Sequence, residues 1–477
     1  MRVRARVAFL FLGALATASG ARGDAALASR LEASLRHPGL RGAKVSALVV
    51  RADDGATLFD RDAGRALVPA SNLKILTALA ALESLGPSHR FTTRVWADRA
   101  PDAEGTVGWL AVEGGGDPSL TSEQWWRLAA DLQRAGLRRV DGAILLDDTA
   151  FDDRRWHPKW GNISSRAYHA PVSALAANFG AFAVEVRPGS TSGSSARARV
   201  DPPVSTLRLQ AGVRTRGART PAKLLVDRVA QTEVAETWVV RGAVPQGGEP
   251  ETVWRSVADP VLYAGGVLRM QLEAVGVSVG GPLRPAAVPA DAVELLDFEG
   301  DSLGRVVALF MKYSSNPIGE MLVKGLGRAA TGEAGSWKNG RRAVRASLER
   351  LGLDLSGFQG VDGSGLARAN RVAPRTLVQA LQVARDSFRF GPELMAALPI
   401  AARDGTLKER MEGSPDGVRA KTGLLDGVTA LSGYADSPYG VLVFSVISNG
   451  HTRGDEPAMD ALDGFAAALS RRERAAR

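Results

Sequence analysis

Strand-like sequence stands at both ends of this chain with helical sequence between them, and that separation limits the folds open to it. Near the N-terminus, GAKVSALVVRADDGATLFDRDA alternates apolar and polar residues and breaks at Asp54-Gly55, a hairpin signal. Near the C-terminus, VRAKTGLLDGVTALSGYADSPYGVLVFSVISNG reads as two or three adjacent antiparallel strands, closed by the amphipathic helix PAMDALDGFAAALSRR. Strands so far apart in sequence form one stable sheet only if the two ends of the chain meet, so an α+β unit assembled from both termini is expected. With 477 residues the chain exceeds one ordinary core and has room for about two to four domains.

The middle of the chain carries a different pattern. FTTRVWADR, GTVGWLAVEGGGDPSL and VDGAILLDD read as strands, with the helix EQWWRLAADLQRAG among them. A Gly/Ser-rich loop, RPGSTSGSSARARVDPP, precedes the short strand signals TLRLQAGV, KLLVDRVA and TWVVRGAV. Residues 91–257 are therefore expected to form an inserted β-rich region of two small domains, the inner one at about 175–245, while 24–90 and 258–477 form the main unit. Helical patterns resume in DPVLYAGGVLRMQLEAVG, VVALFMKYSSNPIGEMLVKGLG and RTLVQALQVARDS.

The first 23 residues, MRVRARVAFLFLGALATASGARG, place Arg2, Arg4 and Arg6 before a short apolar run and then small residues. That order is a secretory signal peptide, and the run falls short of the ~20 apolar residues of a membrane span. An exported, periplasmic protein without a stable membrane anchor is expected. The chain has no cysteine, which excludes disulfides, thiolate metal sites and a cysteine nucleophile. Its net charge of +9 comes from scattered arginines, with no basic run interleaved with aromatics, so no nucleic-acid partner is expected.

A hydroxyl becomes a useful nucleophile only when a nearby base takes its proton. His37, His89, His157, His169 and His451 lie outside any GxSxG turn or HExxH spacing, and each reads as a surface or core histidine; no metal or cofactor is implied. Lysine can serve as base when burial or a neighbouring cation keeps it partly neutral. Only nine of the 60 basic residues are lysines, yet one, Lys74, interrupts the apolar helix PASNLKILTALAAL three residues after Ser71. The i, i+3 spacing puts the two side chains on one helix face. Alone the pair is weak evidence. Two further elements occur once each: Ser314-Ser315-Asn316, opening a helical segment, and Lys421-Thr422-Gly423, at the start of a strand. In the order SxxK, SxN, KTG they match a serine acyltransferase signature.

With these motifs the sequence resembles the penicillin-recognising serine enzymes. More narrowly it resembles the D-alanyl-D-alanine carboxypeptidase/endopeptidases of the class C low-molecular-mass penicillin-binding proteins. GGGDPSLT, VDGAILLDDTAFDD, HAPVSALAANFGAFAVEVRPG, ADPVLYA, VDGSGLARANRVAP and KTGLLDGVTALSGY carry the resemblance over nearly all of residues 24–477. Ser314 follows Ser71 by 243 positions, which leaves room for the large insert of that family.

The resemblance implies a β-lactamase/transpeptidase-like domain, an antiparallel sheet flanked by helices, that acts on peptidoglycan peptides through an acyl-enzyme and is blocked covalently by β-lactam antibiotics. It implies Ser71 as nucleophile, Lys74 as base, Ser314 as proton relay, and Asn316 as a holder of Lys74 and substrate. Lys421, helped by Thr422, would bind the terminal carboxylate and lower the pKa of Lys74 through its charge. The backbone N–H groups of Ser71 and Leu424, the latter just after Gly423, would form an oxyanion hole.

Leu424 stands where a small polar residue is common in that family, and Ala367 where a serine is common. Ser364 in DGSGLARAN either lines the site or serves a turn with Gly363 and Gly365, the turn being the stronger reading. The alternatives are a β-lactamase-type hydrolase, against which stands the lack of an ExxLN-like glutamate to activate water, and a non-catalytic envelope-binding protein of the same fold, which predicts an eroded motif.

Overall fold

The structure, a computed structural model, describes residues 25–413 and 416–470; the expected signal peptide at 1–23 lies outside the described residues. Both ends of the chain build one five-stranded antiparallel sheet, as the distribution of strand signals requires. Its strands are β1 (Lys44–Arg51), β2 (Thr57–Arg61), β3 (Val418–Leu425), β4 (Val428–Ser437) and β5 (Gly440–Asn449), in the order β3-β4-β5-β1-β2. β1 pairs with β5 along its whole length, from Lys44 opposite Asn449 to Arg51 opposite Leu442.

Side chains alternate across a strand, so each strand here feeds two cores. Leu48, Val50, Val443 and Ile447 face a helical layer, while Ala47, Val49, Leu442 and Phe444 face the opposite side. On that opposite side lie the helix at 25–34, through Leu27 and Leu31, and the C-terminal helix Asp455–Ser470, through Leu462 and Phe465. Burial on both faces explains why β4 and β5 read as nearly continuous apolar runs.

The helical layer is centred on α1 (Leu73–Leu85), ten of whose thirteen residues are buried. Around it pack Leu303–Lys312, α2 (Asn316–Thr331), α3 (Trp337–Arg350) and Pro374–Asp386. A helix apolar on all sides belongs inside a layer, and a lysine in its first turn is thereby carried into the interior.

The insert holds a mixed five-stranded sheet, in the order Leu283–Pro285, Ile144–Asp147, Leu110–Gly114, Arg90–Ala97, Val293–Ser302. Beyond it, two three-stranded sheets span residues 181–256. The expected boundary at 257 is thus too early. Helix Pro260–Ala274 shares a core with Trp125 and Leu128 of the inserted helix Ser122–Arg134, and Val293–Ser302 pairs with Arg90–Ala97. The chain returns to the main unit only at Leu303, and the inner region runs to Ser256 rather than 245. Helical periodicity shows that one face is buried but not against which core it is buried, and that ambiguity misplaced residues 258–302.

Candidate active site

Ser71 sits in a short 3-10 turn, Ala70–Asn72, that leads directly into α1. Ala70 has φ of +47°, a region that non-glycine residues seldom occupy, and the chain must be held there by its surroundings. Two glycines allow the close packing that does so. A Cβ on Gly423 would come within 2.8 Å of the Pro69 carbonyl oxygen, and one on Gly365 within 1.9 Å of that of Ala70. The KTG triplet therefore lies against the Ser71 turn from within β3, at its fourth to sixth residues, rather than at the start of the strand.

The side chain of Lys74 is fully buried, and Nζ lies 2.9 Å from Ser71 Oγ, 2.7 Å from Asn316 Oδ1 and 2.7 Å from the Ser364 carbonyl. Burial pulls its pKa down to about 7, against the opposing pull of the Asp362 and Glu320 carboxylates. Asn316 donates from Nδ2 to the Tyr168 carbonyl at 3.0 Å, which fixes the amide so that its oxygen faces Lys74. Asn316 opens α2, and two residues before it Ser314 adopts φ of +54°, a second strained non-glycine position in the same site.

Ser71, Ser314, Asn316 and Leu424 line one cavity of about 730 Å³, in which Leu424 is 46% exposed. Lys421 and Thr422 lie behind these residues. The Lys421 side chain is fully buried and its Nζ donates to the Thr422 carbonyl at 2.7 Å; Thr422 Oγ1 is 2.8 Å from Thr406 Oγ1. Desolvation and then the charge of Lys74 hold Lys421 well below the usual lysine range. Burial leads the shift at Lys74 as well, in keeping with its place in an apolar helix.

Sequence reasoning missed two buried carboxylates. Glu320, one helical turn after Asn316, accepts from the backbone N–H groups of Gly363 (3.0 Å) and Ser364 (2.8 Å) and from Trp337 Nε1 (2.7 Å). Asp362 accepts from Trp160 Nε1 (2.9 Å), Gly365 N–H (2.9 Å), Ala367 N–H (2.7 Å) and Asn370 Nδ2 (2.8 Å). Together they hold the loop whose Ser364 carbonyl meets Lys74. Ser364 therefore takes part through its backbone while Gly363 and Gly365 make the turn. Glu320 was signalled only by its i, i+4 spacing from Asn316, and Asp362 by its place in VDGSG.

The insert also reaches the site: Trp160, Tyr168 and His169 line the cavity. His169, read from the sequence as a bystander, has Nδ1 2.9 Å from Ser164 Oγ, and burial lowers its pKa.

A serine hydroxyl, a buried amine at hydrogen-bond distance from it and an adjoining cavity make this a candidate acyl-transfer site. Residues 27–469 match the D-Ala-D-Ala carboxypeptidase 3 (S13) family. The chain belongs to that family. It is thus placed among the serine D-Ala-D-Ala carboxypeptidases. It is 38% identical over 459 residues to a D-alanyl-D-alanine carboxypeptidase of Actinomadura sp. (strain R39), covering 92% of this chain and 84% of the relative. To D-alanyl-D-alanine carboxypeptidase DacB of Haemophilus influenzae it is 26% identical over 422 residues, covering 87% of each. The fold matches the crystal structure of penicillin-binding protein 4 from Haemophilus influenzae, with a TM-score of 0.77 at 24% identity over 92% of this chain and 98% of that one. The expected α+β architecture, an antiparallel sheet flanked by helices, is the observed one.

Proposed function

We propose that this S13 carboxypeptidase works through Ser71 and Lys74 on peptidoglycan stem peptides ending in D-Ala-D-Ala. The observation that carries the reading is the set of three partners around Lys74 Nζ. A neutral amine has two N–H groups and one lone pair. Asn316 Oδ1 and the Ser364 carbonyl can only accept, so they take both N–H groups. The lone pair is then left for Ser71, the one partner that carries a proton of its own. Lys74 thus draws the proton from Ser71 Oγ as that oxygen attacks the carbonyl carbon of the penultimate D-alanine.

The backbone N–H groups of Ser71 and Leu424 stabilise the developing oxyanion. The C–N bond breaks, and terminal D-alanine leaves with a proton relayed by Ser314. Water then hydrolyses the ester and restores the Ser71 hydroxyl. Lys421 and Thr422 receive the terminal carboxylate beside Gly423, and Asn316 keeps Lys74 aimed. β-Lactams enter the same path and remain on Ser71, because the ExxLN-like glutamate that would hasten deacylation is missing from the sequence.

Labelling with a fluorescent penicillin tests the reading. Stable labelling that is lost in Ser71→Ala supports it; rapid turnover of the label would indicate a β-lactamase, and no labelling would overturn both enzymatic readings in favour of a binding protein. Digestion of purified muropeptide monomers and cross-linked dimers separates the two peptidase activities, since dimers left intact exclude endopeptidase action. The Arg-rich, apolar and small-residue order of residues 1–23 supports export to the periplasm. Recovery from the periplasm of a form cleaved near residues 18–23 is the expected result, and an uncleaved cytoplasmic form would refute it.

A further inference from the structure

A second cavity, of about 770 Å³, shares no lining residue with the one at Ser71. Its floor is apolar, formed by Leu73 and Leu76 of α1 together with Val323, Val344 and Phe358, all buried. Its rim is cationic. Lys338, Arg341, Arg342 and Arg345 follow one another at i, i+3, i+4 and i+7 along α3, and all four are exposed.

Like charges at this spacing destabilise a helix unless something opposes them. Among the described residues Arg345 pairs with Glu349 at 2.9 Å, while no carboxylate pairs with Lys338, Arg341 or Arg342. The one acid in the cavity wall, Asp362, is already engaged by Trp160, Asn370 and two backbone N–H groups. An apolar floor under unopposed guanidinium groups, in a volume typical of ligand pockets, calls for a ligand that is apolar at one end and anionic at the other.

We propose that this cavity binds a single amphipathic anion, with a phosphate or carboxylate head on Arg341 and Arg342 and an apolar chain on the floor, and that occupancy slows acylation of Ser71. The route between the sites is short. The cavity wall at 359–362 runs directly into Gly363 and Ser364, whose carbonyl holds Lys74, and Leu73 and Thr77 flank that lysine on α1. An anion held here favours the ammonium form of Lys74, which cannot take a proton. Binding follows from the cavity alone; the slowing rests on Lys74 being the base.

The test is calorimetric titration of the full chain with dodecyl phosphate, with inorganic phosphate, and with dodecyltrimethylammonium as a cation of matching chain length. Dodecyl phosphate is expected to bind, and inorganic phosphate about tenfold or more weakly for want of the apolar contact. The double variant Arg341→Glu, Arg342→Glu should weaken dodecyl phosphate about tenfold or more by removing two charge-assisted contacts. The same variant should label with fluorescent penicillin at the wild-type rate when no ligand is present, which also reports an intact fold. Equal binding by the double variant, or equal binding of the cationic amphiphile, would overturn the site. Attachment to phosphatidylglycerol vesicles without binding of the dissolved amphiphile would also overturn it, because that points to a membrane-facing surface. Binding with an unchanged acylation rate overturns the coupling, and a failure of the base role shows separately as normal acylation in Lys74→Ala.

Discussion

The side-chain nitrogen of Lys74 lies 2.7 Å from the carbonyl oxygen of Ser364, 290 positions further along the chain. That contact, with the one to Asn316, decides which of the amine's partners can accept its lone pair. Acylation of Ser71 should therefore follow the neutral form of Lys74. Because burial brings this lysine down to about 7, the rate of penicillin acylation should rise with pH through about 7 and level off above it. Lys74→Ala should lose about 10²–10⁴-fold in rate, the usual range for removing a general base. A flat profile between pH 6 and 8 in stopped-flow labelling would contradict this assignment.

Glu320 provides a second handle on the same titration. Burial raises its own pKa to about 7, so its carboxylate favours the ammonium form of Lys74 while it is ionised, and three donors anchor it under the loop. Glu320→Gln removes the charge and turns an amide donor toward groups that already donate. The acid limb of the acylation profile should move to lower pH, since Lys74 loses a group that holds its proton. Stability should fall by about 1–3 kcal/mol, the cost of a buried donor left without its acceptor. The direction of the pH shift separates the electrostatic role from a merely structural one, which would lower the rate and leave the midpoint in place.

How much of this was visible beforehand depended on whether the signal was local. Ser71 and Lys74 are three residues apart, and the triplets at Ser314 and Lys421 are short strings, so the chain shows them directly. Pairing β1 with β5 was also foreseeable, because the only strand patterns of the main unit stand at its two ends. The carbonyls of Ser364 and Tyr168 have no such signature, since any residue type supplies a carbonyl and its position is fixed by the fold. Glu320 and Asp362 read in sequence as ordinary acids; only packing shows that they are buried and satisfied. The helix Pro260–Ala274 was recognised as a helix and assigned to the wrong core for the same reason.

Lys421 leads to a prediction about protons rather than rates. In the free protein, burial and the charge of Lys74 depress its pKa, and its nitrogen turns to the Thr422 carbonyl. A substrate carboxylate arriving beside it would favour the ammonium form. Binding of a D-Ala-D-Ala peptide to Ser71→Ala should therefore take up protons over the pH range in which Lys421 titrates, which repeating the titration across pH locates. Calorimetry in buffers of different ionisation enthalpy would show it as a buffer-dependent heat, and Lys421→Met should abolish the uptake. Heats that are the same in every buffer would show that Lys421 keeps one protonation state throughout.

Lys324 tests whether the insert is part of the catalytic apparatus. It lies two helical turns after Asn316 on α2, its side chain fully buried, with Nζ 2.5 Å from Asp152 Oδ1, 2.7 Å from the Arg154 carbonyl and 4.3 Å from the centre of the Trp337 ring. Asp152 and Arg154 belong to the insert, and the same segment continues to Trp160 and Tyr168, which line the cavity and bind Asp362 and Asn316. Lys324→Met keeps much of the volume and removes the charge. It should destabilise the protein by about 3 kcal/mol, the lower end for breaking a buried pair, because Asp152 retains some contact with water. If the pair also holds the insert in place, the Tyr168 carbonyl loses its position, Asn316 is freed to rotate, and acylation slows while the pH midpoint stays near 7. A variant that melts earlier yet acylates at the wild-type rate would show that the insert contributes stability and takes no part in aiming Lys74.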